Sequence, residues 1–512
     1  MDSSKHANNA KKLSVLRFAA DPNEFCSSPF VNKLEALLKF SGYPVQVERG
    51  DIMKMPRKLL PALKIDEEIV PDSEFAYDTC VVRGIAECLD YKVHLTDKEQ
   101  AITVAIRALV ETNLVEAMSY ERWIEHWYET RDLYLVDIPA MVRPPVAYWL
   151  VYRPTMSRFY GTGYARLSDE ERRTKVKKEI DALSAFVPST GYILGKSAPT
   201  RIDACVHGFL SANLRCGHSG PSFLSSVYVE GICCESWDYC DPTLDSNKRP
   251  KVNSTGLQVI MDSSRPIDST NQVSLLRFEA DLNEFCSSPF VNKLEALLRF
   301  SGHPLQLEHG DIMKVPRKLL PVLKINDEIV PDSELAYDTC VSKGFIDCLD
   351  RRALLTDKEQ AVTVALRALV ETNLVEAMGY ERWIDNWYET RDLYLADIPA
   401  MVRRPVAYWF VYRPTRSRFY ATGYARLSDE ERRTKVKKEI DALSAFVPST
   451  GYIFGKSTPT RIDASVHGFL SANLRFPQLA PHIIEEVYRH DNLLQYHRRL
   501  TAEFWPERKQ LV

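Results

Sequence analysis

The residues best placed to do chemistry lie at the start of a predicted helix. Ser28 comes directly before Pro29, and from there apolar residues recur at helical spacing as far as Gly42. A serine in this position can accept hydrogen bonds from free helix amides, and proline is favoured as the first helical residue. The same helix end favours an anion such as a thiolate, to which the hydroxyl can donate. Cys26, two residues earlier, is the alternative reactive group, through a mixed disulfide.

Two short polar or turn-forming pairs follow this helix. Leu60 and Pro61 stand at the start of a predicted hairpin, whose strands are Leu60–Ile65 and Ile69–Val70. Asp72 and Ser73 then open a second helix, predicted to run to about Leu89 with Ser73 as its cap.

Every one of these residues occurs twice. Residues 13–215 align with 273–475 without a gap, and 36 of the 203 aligned positions differ. A repeat of this length indicates duplicated domains, since solenoid repeats are much shorter. After Arg215 the copies diverge, and only the second continues, to Val512, with two more predicted helices. The equivalent candidates in the second copy are Ser288, Cys286, Leu320, Pro321, Asp332 and Ser333.

The stretch between the copies has neither helical nor alternating periodicity. Residues 216–271 are therefore predicted to be an irregular, disordered linker. Four cysteines and one histidine in it match no zinc spacing, so no metal site is predicted there: Cys216, His218, Cys233, Cys234 and Cys240. We also consider that 216–260 is an accidental join of two coding units. A natural product near half of the calculated 58.6 kDa would show this.

Each copy is predicted to contain an α/β domain followed by an all-helical domain. The order β-α-β-loop-β-β-α fills about the first 80 residues, and helical periodicity then continues without strands. Three sequence pairs indicate helix starts by the capping-box pattern: Thr96 with Glu99, Ser168 with Glu171, and Thr200 with Asp203. The predicted boundaries are 1–92 and 93–215 in the truncated first copy, and 272–352 and 353–512 in the second.

Composition excludes several classes of protein. A net charge of −3 gives no global field for nucleic acid, and no apolar stretch is long enough to span a membrane. The polar N-terminus is not a secretory signal, and eleven cysteines in no disulfide pattern favour reduced thiols in a cytoplasmic setting. Five aromatic residues of the helical region are predicted to pack between helices: Tyr148, Trp149, Tyr152, Phe159 and Tyr160.

The arrangement resembles the glutathione-transferase superfamily. Leu60-Pro61 is similar to the cis-proline loop of thioredoxin-like domains, and Asp72-Ser73 to the acidic-or-Gln–Ser pair that binds the γ-glutamyl end of glutathione. Thr200-x-x-Asp203 resembles the capping box in the helical domain of these proteins. Within the superfamily the likeness is to the metaxin and failed-axon-connections branch, on these segments: Ser28–Phe30, Lys33–Glu35, Tyr120–Trp123, Gly195–Thr200, Asn492–Arg499 and Phe504–Pro506.

The resemblance implies two different functions. In the first, glutathione is the co-substrate, Ser28 and Ser288 assist its sulfur, and small electrophiles are conjugated or reduced. The backbone of Leu60 would then pair with the peptide of glutathione, and Ser73 with its γ-glutamyl carboxylate. In the second, the chain is a non-catalytic adaptor or import-related protein, with peripheral association with the mitochondrial outer membrane. A pseudo-dimer of the two copies, or a homo-oligomer, is compatible with both.

Overall fold

A computed structural model describes residues 12–18, 24–52, 54–135, 138–216, 273–278, 282–312, 314–326, 328–395 and 398–512. These residues form two compact units that correspond largely to the two copies. Apart from Cys216, the predicted linker 216–271 lies outside the described residues, together with its histidine and other cysteines. No helix among the described residues has the length and apolar composition needed to cross a bilayer.

The first domain of the first copy is a four-stranded mixed sheet with helices, as predicted. The sheet order is β2-β1-β3-β4, in which β1 pairs parallel with β2 and antiparallel with β3. One 3₁₀ turn, Pro56–Lys58, precedes β3. The elements are β1 Leu13–Arg17, α1 Pro29–Phe40, β2 Gln46–Arg49, β3 Ala62–Ile65, β4 Glu68–Pro71, α2 Ser73–Val82 and α3 Leu89–Lys92.

Two predicted boundaries in this domain are wrong. Strand β3 begins at Ala62 and not at Leu60, because Leu60 and Pro61 form the turn before it. The helix after Ser73 ends at Val82, well short of Leu89, since Gly84 takes a positive φ of 65° that breaks it.

The second domain of the first copy is all-helical, as predicted. The capping boxes at Thr96 and Ser168 are both present, with reciprocal hydrogen bonds to Glu99 and Glu171. Three π-helical stretches, at 109–114, 121–125 and 148–152, interrupt the α-helices. The helices are α4 Asp97–Ala108, α5 Val115–Tyr120, α6 Trp127–Tyr134, α7 Arg143–Ala147, α8 Arg153–Thr162, α9 Asp169–Ser184 and α10 Arg201–Cys216.

The second copy repeats this architecture and extends it. Its sheet order, β6-β5-β7-β8, is the equivalent one. The first domain contains β5 Val273–Arg277, α11 Pro289–Phe300, β6 Gln306–His309, β7 Val322–Ile325, β8 Glu328–Pro331, α12 Ser333–Ser342 and α13 Leu349–Arg352. The helical domain contains α14 Asp357–Arg367, α15 Val375–Tyr380, α16 Trp387–Tyr394, α17 Ala400–Ala407, α18 Arg413–Thr422, α19 Asp429–Phe446, α20 Arg461–Arg475, α21 Pro481–Tyr488 and α22 Asp491–Phe504.

A glycine lets the two domains of each copy approach closely. In the second copy, a Cβ added to Gly468 on α20 would lie 2.7 Å from both the Pro289 carbonyl oxygen and the Lys293 nitrogen on α11. In the first copy, a Cβ at Gly208 would lie 2.5 Å from the Pro29 carbonyl oxygen. The helical domain therefore packs directly on the first turns of α1 and α11, the helices that begin after Ser28 and Ser288.

The last two helices account for the main difference between the copies. In the second copy Leu474 is 5% exposed, whereas its counterpart in the first copy, Leu214, is 65% exposed. The added helices and the segment after them bury further side chains: Ile483, Val487, Leu493, Tyr496, Leu500 and Trp505. The second copy therefore has a larger core around its equivalent of α10.

We expect residues 1–215 to be less stable than 261–512 when each is produced alone. Burial of one large apolar side chain contributes roughly 1.5–3 kcal/mol, which is a large fraction of a domain's net stability. Thermal denaturation followed by circular dichroism tests this. A higher melting temperature for 1–215 would contradict it.

Gly468→Ala should destabilise 261–512 by about 1–3 kcal/mol, because the new methyl group meets the backbone of α11. Urea denaturation measures the change. Gly379→Ala is the matched control: a Cβ there has 3.4 Å to its nearest neighbour, and the first copy carries Ser119 at this position. Equal midpoints for the two variants would exclude a close approach at Gly468.

Candidate functional site

The topology brings the three candidate features to one end of each sheet. Helix α1 follows β1 and precedes the parallel β2, so its N-terminus lies at the carboxyl end of β1. Strand β3 runs antiparallel to β1, with Ala62 opposite Leu16, so the turn before β3 lies at that same end. Pro71 is opposite Ala62 in β4, which places the start of α2 there too. Ser28, Pro61 and Ser73 thus lie at the same end of the sheet, and we refer to the space between them as the cleft.

The Leu60–Pro61 turn presents an unpaired stretch of backbone. Both Leu60–Pro61 and Leu320–Pro321 are cis peptides. The Pro61 carbonyl accepts a hydrogen bond from the Asp72 amide at 3.2 Å, which joins this turn to the start of α2. Within the described part of the chain, the amide and carbonyl of Leu60 make no hydrogen bond. They are therefore available to the backbone of an extended ligand.

Asp72, and not Ser73, caps helix α2, so the expected serine cap is wrong. One Asp72 carboxylate oxygen accepts hydrogen bonds from the amides of Glu74 at 2.8 Å and Phe75 at 3.2 Å. To do this Asp72 takes a φ of 70°, a strained conformation for a residue with a side chain. Asp332 does the same in the second copy, at 71°. Ser73 and Ser333 become the first helical residues, and their hydroxyls make no hydrogen bond among the described residues.

Ser28 occupies the predicted start of α1, but its side chain does not cap the helix. The residue is partly exposed, and its hydroxyl makes no hydrogen bond to the helix amides. Ser288 has the same arrangement, and its amide lies 3.5 Å from the Cys286 sulfur. The predicted capping bond is therefore wrong, and both hydroxyls remain available at a helix N-terminus.

Cys26 and Cys286 lie beneath the surface. Each has 0% of its surface exposed, and Cys26 belongs to the hydrophobic core. The Asn32 side chain closes the loop by accepting from the Cys26 amide and donating to the Cys26 carbonyl, each at 2.8 Å. A disulfide with a soluble thiol would require this loop to open.

An arginine of the helical domain holds the residue before each serine. In the second copy Arg382 is 1% exposed and donates to the carbonyl of Ser287 at 2.7 Å and to that of Ala472 at 2.8 Å. Arg122 makes the equivalent bonds to Ser27 and Ala212, at 2.6 and 2.8 Å. The arginine thus connects the loop before α11 to helix α20. Arg122 belongs to the segment Tyr120–Trp123 that carries part of the family resemblance, but its hydrogen bonds to the two backbone carbonyls were not predicted from the sequence.

A buried network of ion pairs lies directly behind the cleft. In the first copy Lys33 on α1 pairs with Glu74, the residue after Ser73, and with Glu111 of the helical domain. Glu74 also pairs with Arg107 at 3.2 Å and with Arg201. Burial would by itself lower the pKa of Lys33, but Glu111 and Glu74 raise it above its ordinary value. Burial would likewise raise the pKa of Glu74, yet Lys33, Arg201 and Arg107 hold it well below.

The second copy has the same network. Lys293 pairs with Glu334 at 3.1 Å and with Glu371 at 2.8 Å, and Arg367 pairs with Glu371 at 2.9 Å. Arg461 pairs with Glu334. Burial would raise the pKa of Glu371, but Arg367 and Lys293 outweigh it and lower the pKa to about 2. None of these residues was predicted, although a lysine between Val291 and Leu294 on an apolar helix face is a signal for a buried ion pair.

Glu371→Gln should destabilise 261–512 at neutral pH by about 3–5 kcal/mol, because it leaves Lys293 and Arg367 incompletely paired. The folded pKa of Glu371, about 2, lies below its ordinary 4.5. Its stabilising effect is therefore complete above pH 4.5 and is lost as the pH falls towards 2.

Urea midpoints between pH 2 and 7 test this, and the difference between wild type and variant should shrink below about pH 4.5. Glu430→Gln, at an exposed position, is the control and should leave the midpoints unchanged. A constant difference across the whole range would contradict the predicted ionisation.

Comparisons with known families agree with the fold described above. The sequence profile of the glutathione S-transferase N-terminal domain matches residues 29–129 and again 289–389. The profile of the glutathione S-transferase C-terminal domain matches residues 436–500. The duplication inferred from the sequence is thus found independently.

Three solved structures show weaker similarity. A glutathione S-transferase from Sinorhizobium meliloti is 14% identical, with 46% of this chain and 91% of that chain covered and a TM-score of 0.27. The trimeric glutathione transferase TDR1 of Leishmania is 13% identical, with 98% and 96% covered and a TM-score of 0.28. A glutathione transferase homolog from Drosophila mojavensis, solved with bound glutathione, is 17% identical, with 46% and 98% covered and a TM-score of 0.22. Scores this low carry no argument about the present chain.

Proposed function

Because the chain belongs to the glutathione S-transferase superfamily, we propose that each copy binds glutathione in the cleft between the starts of its first two long helices. In the first copy the cleft is bordered by Ser28, Leu60, Pro61 and Ser73. In the second copy it is bordered by Ser288, Leu320, Pro321 and Ser333. The domain boundaries given above and the cytoplasmic location form part of the same proposal.

This proposal rests on the polar groups of the cleft that make no hydrogen bond within the described residues. The amide and carbonyl of Leu60 suit the peptide backbone of glutathione, which would add to the sheet edge as a short strand. The Ser73 hydroxyl and the Ser73 amide, which the Asp72 cap leaves unbonded, suit the γ-glutamyl carboxylate. Glu74, held by its ion pairs, keeps this turn in place.

Conjugation or reduction of small electrophiles is the activity we propose for this site. Ser28 or Ser288 would donate its hydroxyl hydrogen bond to the glutathione thiolate, which attacks the electrophile after its proton has passed to solvent. We assign this role to the serines rather than to Cys26 and Cys286, because the serines are partly exposed and the cysteines are buried.

A non-catalytic adaptor of the metaxin and failed-axon-connections type is the second candidate. One observation favours it: two cavities found among the described residues lie in the helical domain of the second copy, away from the cleft. They measure about 180 and 260 Å³, and no cleft residue lines either one. An adaptor would keep the fold without needing a substrate cavity beside the serines.

The double variant Ser73→Ala/Ser333→Ala should weaken glutathione binding by the full chain about tenfold to a hundredfold. A hydrogen bond to a charged group contributes about 1.5–3 kcal/mol. Isothermal titration calorimetry measures the affinity, and Ser157→Ala/Ser417→Ala, at exposed equivalent positions, is the matched control.

Unchanged affinity in the first variant, or no binding by wild type at millimolar glutathione, would refute the site. Turnover of an aryl halide then separates the two functions. Activity that falls in Ser28→Ala/Ser288→Ala while glutathione affinity is kept supports the enzyme. Binding without turnover supports the adaptor.

A further inference from the structure

Part of the second copy's helical domain presents large apolar side chains to solvent. Helices α17 and α18 are joined through a π-helical turn, Tyr408–Tyr412, and so form one long helical segment. Met401 is 94% exposed, Phe410 76% and Trp409 57%. In the equivalent region of the first copy, Tyr148, Trp149 and Tyr160 were predicted to pack between helices, which is wrong because all three are exposed, whereas Phe159 is buried as predicted. A cluster of this kind marks an interaction surface.

The same segment carries positive charge only. Residues 398–428 contain six arginines and no aspartate, glutamate or lysine, in a chain whose net charge is −3. Three of these arginines contact the rest of the protein: Arg403 pairs with Asp392 at 3.7 Å, Arg426 donates to the Tyr420 carbonyl at 3.1 Å, and the Arg418 guanidinium lies 4.4 Å from the centre of the Phe419 ring. Arg404, Arg413 and Arg416 are exposed. The local charge is therefore opposite in sign to that of the whole chain.

The arginines and the aromatic rings share one face of the helix. The Arg413 guanidinium lies 4.5 Å from the centre of the Trp409 ring, and that of Arg416 lies 5.4 Å from the centre of the Tyr420 ring. Steps of three and four residues separate these four positions, so they line up along the helix. The arginines thus lie against the rings and keep their charged ends at the surface.

We propose that this arginine–aromatic face, formed by Trp409, Arg413, Arg416 and Tyr420 together with the neighbouring exposed side chains of Met401 and Phe410, binds the surface of an anionic lipid membrane. The apolar side chains enter the boundary between headgroups and acyl chains, and the guanidinium groups pair with lipid phosphates and carboxylates. Tryptophan and tyrosine are the aromatic residues typical of this boundary. This function is separate from the glutathione site and does not depend on it.

Charge and shape disfavour two other occupants. A second copy of the same face would oppose arginines to arginines, and like charges repel. Single-stranded nucleic acid would use the arginines and rings but would leave Met401, the most exposed of the apolar side chains on this face, without a role. A lipid surface uses all six side chains.

The first copy carries a weaker version of the face. Trp149 and Arg153 keep the stacked arrangement, at 4.5 Å. Pro144 and Met156, however, replace Arg404 and Arg416, so two positive charges are missing. The second copy should therefore contribute most of the binding.

Co-sedimentation of the full chain with vesicles tests the proposal. We expect binding to phosphatidylcholine vesicles that contain phosphatidylserine, weaker binding as salt is raised, and none to phosphatidylcholine alone. Trp409→Ser/Phe410→Ser should lower the partition coefficient about tenfold or more. Arg416→Met, which restores the residue of the first copy, should lower it about fivefold. Tyr488→Ser, at an exposed aromatic residue elsewhere in the second copy, is the control and should have no effect.

Three results would overturn the proposal. They are no binding to anionic vesicles, binding that neither face variant reduces, and vesicle-independent binding of a single-stranded oligonucleotide that both variants abolish. Glutathione affinity, measured on the same variants, should be unchanged, so that failure of the face and failure of the glutathione site can be told apart.

Discussion

The ion pairs around Lys293 and Glu334 are the interaction on which the rest of each copy depends. Lys293 belongs to α11 and Glu334 to α12, whereas their partners Glu371, Arg367 and Arg461 belong to the helical domain. Asp338, which is half exposed, also pairs with Arg461 at 2.9 Å, so three positive groups are matched by three negative ones. A buried network of this kind is tolerated only when every charge is compensated. It therefore specifies one relative position for the two domains of a copy.

The cleft lies next to this network of ion pairs. Glu334 follows Ser333 directly, and Lys293 lies little more than one turn after Ser288, so the network holds both helix ends that border the cleft. Arg382 also fixes the loop before Ser288, because it donates hydrogen bonds to the Ser287 carbonyl in one domain and the Ala472 carbonyl in the other. The first copy keeps the equivalents of all these residues. Its missing terminal helices should consequently reduce its stability more than they alter its cleft.

Local signals in the sequence predicted much of the fold. The capping boxes at Thr96 and Ser168 and the sheet with its helices are read from neighbouring residues, and the structure contains them. The duplication is read from a comparison of the chain with itself, and the cis-proline turn, which is also present, is implied by the family resemblance. The predictions of helix caps that proved wrong also concern residues that are neighbours in the chain. Ser28 and Ser73 satisfy the rules for helix caps, yet Asp72 takes the capping bonds at α2 because a strained backbone places its carboxylate over the free amides. Such a competition between adjacent residues depends on backbone geometry.

The sequence by itself determined the element types, the repeat and the three features that border the cleft, because each depends on residues close together in the chain. Only the tertiary structure decided which charged side chains are buried and which aromatic ones are exposed. The partners of Lys33 lie 41 and 78 residues away, and a lysine or glutamate at helical spacing usually indicates a solvated face. Packing of the two domains removes water from these charges, and no local pattern reports the solvation of a side chain. The same reason explains why Tyr148 and Trp149 were expected to pack between helices and lie at the surface.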